Sequence, residues 1–227
     1  MRPLVITLAL ALGAVSCASS EPYDYNAFLD HMPRSILVLP PLDESPEVSA
    51  GQVYLSTVTP PLSEVGYYVF PVALVDRILR ENGLPTAVEM HAISLSKLSE
   101  VFDPDAVLYT TIHKWGTEYQ VINSTTQVVY SARLVDARTG RTIWSGRGSA
   151  VQSSGDGGGG FLGALVGAVV NQVATTVSDP TPDVAHAAHQ RLFFNKRNGL
   201  LLGPYHPKYE DDQRKRREEA AAQGPQP

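Results

Sequence analysis

Ser35-Ile36-Leu37-Val38-Leu39 is a short apolar run, and Pro40-Pro41 stops it. With no polar alternate position, such a run predicts a strand buried on both faces. Neither proline can donate to a strand ladder, so the strand ends there. Leu55, Val58, Leu62 and Val65 then fall at spacings of 3, 4 and 3, one face of a helix. Pro60-Pro61 predicts a kink or a division into two short helices, and Gly66 predicts the stop. Tyr67 to Val72 reads as a second strand, and Leu74, Val75, Ile78 and Leu79 as a helix ended by Asn82-Gly83. Asp76 and Arg80 are four apart and predict an ion pair on its outer side. Leu95, Leu98, Val101 and Phe102 mark a further short helix.

The period then changes from helical to alternating. Ala106 to Trp115 is rich in strand-forming residues. From Thr125 to Asp136, Thr126, Val128, Tyr130, Ala132 and Leu134 share one face, and the turn sequence Asp136-Ala-Arg-Thr-Gly140 leads into a strand over 141–149. The expected fold class is α/β in the mixed α+β sense. One mixed sheet has a βαβα front half and an antiparallel meander, and helices cover it. Beyond a segment of five glycines between 155 and 160, Phe161 to Val177 and Asp183 to Phe194 read as helices. The charged stretch from 206 to 227 reads as a disordered tail.

The first residues follow a different logic. Arg2 supplies a positive charge, and residues 3–15 are apolar but shorter than the roughly 20 residues a bilayer span needs. This pattern is a signal peptide over residues 1–16. Ala14-Val15-Ser16-Cys17 resembles a bacterial lipobox, which makes Cys17 the lipid-bearing residue, with Ala14 where leucine is more usual. The competing reading is an ordinary secretory signal cut near Ala18. Residues 17–33 are expected to be a tether and residues 34–205 a single domain. Cys17 is the only cysteine in the chain, so no disulfide forms within it and a hydrophobic core must supply stability. The net charge of −5, with basic clustering confined to the C-terminal tail, argues against nucleic acid as a partner.

Candidate chemistry is sparse. The glycine segment lacks the lysine of a phosphate-binding loop. Gly159, Gly163 and Gly167 repeat every four residues beside Phe161, a spacing that permits close helix approach. These four residues form a candidate interaction surface, directed to the chain's own sheet or to a partner or membrane. His186 and His189 lack a third metal ligand at a recognisable spacing and read as surface histidines, and His113 as a half-buried structural one. No Gly-x-Ser-x-Gly elbow occurs, and the adjacent Asp43 and Glu44 point apart. The sequence therefore points away from an enzyme, a cofactor, a metal or a small-molecule substrate.

Several ordered motifs resemble a bacterial lipoprotein family, domain of unknown function 799, of the Neisseria surface-antigen type. They are the run from Pro33 to Ser45, Leu55-Ser-Thr, the stretch Gly66 to Val72 and Asn82-Gly-Leu84. Downstream are Leu134-Val-Asp136, Thr139-Gly140, Trp144-Ser-Gly146, Val177-Ser-Asp179, Asn198-Gly199 and Gly203-Pro204. The resemblance implies a fold similar to the TolB amino-terminal domain and a lipid anchor at Cys17. It also implies a place in the outer membrane, facing periplasm or cell surface. The implied function is a non-catalytic accessory component of an envelope assembly or secretion complex, with a CsgG-like lipoprotein as partner and oligomerisation left open. The alternative is a binding protein that regulates a cell-wall synthesis enzyme, which the hairpin from Asp136 to Gly146 resembles.

Overall fold

The computed structural model describes residues 23–119, 124–153 and 179–223. Its strands are β1 (Ser35–Val38), β2 (Leu42–Asp43), β3 (Tyr68–Val69), β4 (Ala106–Tyr119), β5 (Ser124–Asp136) and β6 (Thr142–Ser153). Its helices are α1 (Asn26–His31), α2 (Ala50–Val65), α3 (Val72–Glu81), α4 (Ala87–Ala92), α5 (Leu95–Phe102), α6 (Thr181–Phe193) and α7 (Tyr209–Gln223). The strands form one mixed sheet in the order β3-β1-β4-β5-β6, with β2 also paired to β4. β1 lies parallel to β3 and β4, whereas β4, β5 and β6 run antiparallel. The expected α+β class and meander are both present.

Each face of the sheet carries its own core, and β1 feeds both. Ile36 and Val38 join the cluster under α1, α2 and α6, while Leu37 and Leu39 join the one under α3, α4 and α5. That is why the run carries no polar alternate. β1 and β2 pair with successive parts of β4, at Ala106–Leu108 and Thr111–Ile112, and Pro40-Pro41 lies in the gap between them. The Asp105 carboxylate accepts from the backbone N–H groups of Arg34 and Ser35 at 2.9 and 3.1 Å, fixing the starts of β1 and β4 together. On β5 the predicted face is the buried one: Val128, Tyr130, Ala132 and Leu134 all enter the first core.

Four expectations change. α2 is one continuous helix through Pro60 and Pro61, because Leu55, Val58, Pro61, Leu62 and Val65 bury one unbroken face. Packing of that face outweighs the backbone bonds the prolines remove. The second strand shrinks to Tyr68–Val69, and Val72 opens α3 behind Pro71. Residues 23–33, expected to belong to the tether, are part of the packed domain. Phe28 is fully buried, Tyr23 and Tyr25 pack against the same core, and the Tyr25 hydroxyl donates to the Gly199 carbonyl at 2.6 Å. The tail is also not disordered throughout, since α7 occupies Tyr209–Gln223. Glu210, Asp211 and Asp212 sit in its first turn, where the helix dipole favours acids, and Asp212 pairs with Arg216 at 2.7 Å.

Candidate interaction surface

Cys17, Gly159, Phe161, Gly163 and Gly167 lie outside the described residues. Among the described residues no group of three His, Cys, Asp or Glu side chains is placed to hold a metal ion. Asp43 and Glu44 diverge: Asp43 accepts from Ser45, and Glu44 pairs with His113 Nδ1 at 2.7 Å. His113 is half-buried and its Nε2 lies 2.9 Å from Ser131 Oγ, the structural role expected of it.

The two helical histidines part company. His186 is exposed, but His189 is fully buried, which corrects its reading as a surface residue. A surface reading fails because α6 turns Val184, Ala185, Ala188, His189 and Leu192 inward together. Thr57 Oγ1 donates to the Val53 carbonyl at 2.8 Å, so it accepts from His189 Nε2 at 3.0 Å. Nδ1 then accepts from the Tyr130 hydroxyl at 2.6 Å. One neutral tautomer satisfies the whole chain of bonds. Burial, helped by His186, pushes the His189 pKa down to about 3. Burial likewise raises the Tyr130 and Tyr54 phenols above their usual value. These groups are sealed from solvent and serve the core.

The other face of β5 and β6 is different. α3, α4 and α5 cover β1, the start of β4 and the end of β5, where Val107, Tyr109 and Val135 join the second core. Next to them lies an open groove of about 510 Å³ on the sheet, lined among others by His91, Tyr109, Ser131, Arg133, Ser145 and Arg147. Strand register sets its chemistry. Ser131 sits opposite Arg147 and Arg133 opposite Ser145, so the two arginines are diagonal neighbours on one face. The Arg133 guanidinium lies 4.1 Å from the centroid of the Tyr109 ring. His91 Nε2 donates to the Pro40 carbonyl at 2.9 Å, and burial lowers its pKa against the effect of that bond. Among the described residues neither arginine has a carboxylate in ion-pair range. The domain's first described residue meets this rim: the Ser145 N–H donates to the Tyr23 hydroxyl at 2.9 Å.

Sequence reading missed this surface. Its signal was the polar set Ser131, Arg133, Ser145 and Arg147 alternating with the apolar face, but only the β5–β6 register brings the arginines together. Such a face can hold anions and dock a partner.

Comparison with known proteins bears on what the domain is. A family described as "Putative lipoprotein GNA1162-like" matches residues 23–205. The chain is 45% identical over 207 residues to "Putative lipoprotein NMB1124/NMB1162" of Neisseria meningitidis serogroup B, covering 90% of this chain and 96% of that protein. The crystal structure of lipoprotein GNA1162 from Neisseria meningitidis superposes with a TM-score of 0.53 at 47% identity, over 60% of this chain and 95% of that one. A PelC dodecamer from Paraburkholderia phytofirmans gives 0.44 at 12% identity, over 76% and 91%, too distant to carry an argument. With the family match running over residues 23–205 and a relative 45% identical along nearly the whole chain, this chain belongs to the GNA1162-like lipoprotein family.

Proposed function

We propose that this chain is a lipid-anchored envelope protein. In this reading residues 1–16 are removed, Cys17 carries the acyl group, and the body from Tyr23 onward works by contact rather than catalysis. The observation that carries it is membership of a lipoprotein family along nearly the whole length, joined to Ala14-Val15-Ser16-Cys17 as the single lipobox-like sequence. The anchor is short. Six residue steps separate Cys17 from Tyr23, a reach of at most about 21 Å. The domain is therefore held against the membrane instead of ranging from it. The finer parts of the proposal are an outer-membrane location, a role as accessory component of an assembly or secretion complex, and a CsgG-like lipoprotein as partner. They rest on the resemblance to domain of unknown function 799 and to the TolB amino-terminal domain.

Metabolic labelling with palmitate tests the anchor. Label is expected in the wild-type chain and absent from Cys17→Ser. Label that survives the substitution would remove the anchor. Crosslinking in intact cells with mass spectrometry tests the complex. Recovery of a CsgG-like envelope lipoprotein is expected, and products containing only this chain would remove the partner claim.

A further inference from the structure

The chain carries a net charge of −5, yet its open groove is basic and without an acid. None of its lining residues is Asp or Glu, and Arg133 and Arg147 both point into it. Glu44 is engaged by His113, whose Nε2 lies 2.9 Å from the hydroxyl of the lining residue Ser131. Two guanidinium groups on adjacent strands repel each other unless an anion lies between them. Arg133 is held in place by the Tyr109 ring, which leaves its hydrogen-bonding edge free. We propose that the Arg133–Arg147 groove binds the phosphate of anionic lipid headgroups in the membrane that anchors the chain.

Geometry selects lipid over a free anion. Tyr23 sits on the backbone of Ser145, and Ser145 lines the groove. A lipid on Cys17 thus holds Tyr23, whose hydroxyl touches this rim, within about 21 Å of the bilayer surface. Tethering at that range acts as a high effective concentration of headgroups. A negative lipid surface in turn attracts each nearby arginine, and the pull falls off within a Debye length, so a short anchor is what lets it act. The inference rests on the lipid-anchor reading for its orientation, but its test does not.

The mature chain, residues 17–227 carrying Cys17→Ser and so without acyl group, is mixed with vesicles and floated on a density gradient at low salt. One set of vesicles is phosphatidylcholine alone, the other equal parts phosphatidylcholine and phosphatidylglycerol. Binding is expected only to the anionic set, falling as salt rises, and about thirtyfold weaker for Arg133→Gln/Arg147→Gln. Arg133→Lys/Arg147→Lys should recover most of the loss, and matching circular dichroism melts show that the variants fold. Equal binding by wild type and the Gln pair, or no binding to anionic vesicles, would overturn the proposal. So would binding of inorganic phosphate alone, or of an oligo-glutamate peptide alone, since either would make this a free-anion or protein-docking site. Palmitate labelling is read separately, so failure of one leaves the other standing.

Discussion

The Tyr130 hydroxyl donates to Nδ1 of His189 across 2.6 Å, joining the middle of β5 to the inner face of α6. Both side chains are fully buried. The imidazole lies between this donor and the Thr57 hydroxyl, so there is room for one proton on the ring and no counter-charge for a second.

That arrangement makes stability depend on pH. The folded ring has a pKa of about 3, and the unfolded one titrates near 6.5. Between those values the unfolded chain binds a proton that the folded one refuses, so stability is full above about pH 6.5 and declines as pH falls toward 3. His91, also depressed by burial, acts in the same direction. From about pH 7 to pH 5 the loss from His189 alone should be on the order of 2 kcal/mol. Carboxylates add most of their effect at lower pH. Urea unfolding at the two pH values, on wild type and His189→Gln, checks this: the variant should be less stable at neutral pH but show a flatter dependence. Identical slopes would remove His189 as the cause.

The same tyrosine fixes a neighbouring position. A Cβ placed on Gly148 would stand 2.6 Å from Tyr130 Cζ and 2.8 Å from its hydroxyl oxygen. The ring cannot swing aside without breaking its bond to His189. Gly148→Ala should therefore destabilise by about 1–3 kcal/mol, the usual cost of overpacking. Gly51→Ala is the control. It lies in α2 with only Pro41 Cγ nearby, at 3.8 Å, and should gain about 0.5 kcal/mol from helix propensity. Thermal melts of both decide the matter, and a neutral Gly148→Ala would mean that β6 yields.

How much of this was legible depends on how local each signal is. The buried run of β1 and the alternation of β5 depend on neighbours in sequence, and both were readable. His189 was not, because its partners lie 132 and 59 positions away and nothing in α6 itself distinguishes it from His186. Tyr23, Tyr25 and Phe28 carry no period, and the core and the Ser145 and Gly199 backbones they meet are distant in sequence, so nothing local marks them as part of the domain. α7 lacks an apolar face, and its helical character rests on pairs such as Asp212–Arg216. The arginine groove needed the β5–β6 register.

The segment after α6 is held by aromatic donors. Trp144 Nε1 donates to the Asn198 carbonyl at 2.9 Å, Tyr25 to Gly199 and Tyr67 to Leu201, the last two at 2.6 Å. The Tyr67–Leu201 bond is buried, and burial raises the Tyr67 phenol far above its usual range. Tyr67→Phe leaves the carbonyl without its donor and should cost about 1–3 kcal/mol. Tyr68→Phe, on a half-exposed ring next door, should stay within about 0.5 kcal/mol. Chemical denaturation separates the two, and equal effects would show that water replaces the Tyr67 hydroxyl.

The paired prolines of α2 offer the opposite sign. Pro60 is exposed and Pro61 is buried in the helix face. Each removes an N–H from the helix ladder, but only Pro61 contributes packing in return. Pro60→Ala restores a donor for the Ser56 carbonyl, and a helix-interior proline costs up to about 3 kcal/mol. Against this, the unfolded chain gains freedom worth roughly 0.4–1 kcal/mol. Because the folded helix accommodates both prolines without ending, the net gain should be nearer about 1 kcal/mol than 3. Pro61→Ala recovers a donor but strips buried ring atoms from the first core, and should be neutral or destabilising. Thermal unfolding of the two single variants tests the difference. If Pro60→Ala melts below the wild type, the proline ring is itself required to seat Leu62 and Val65 against the sheet.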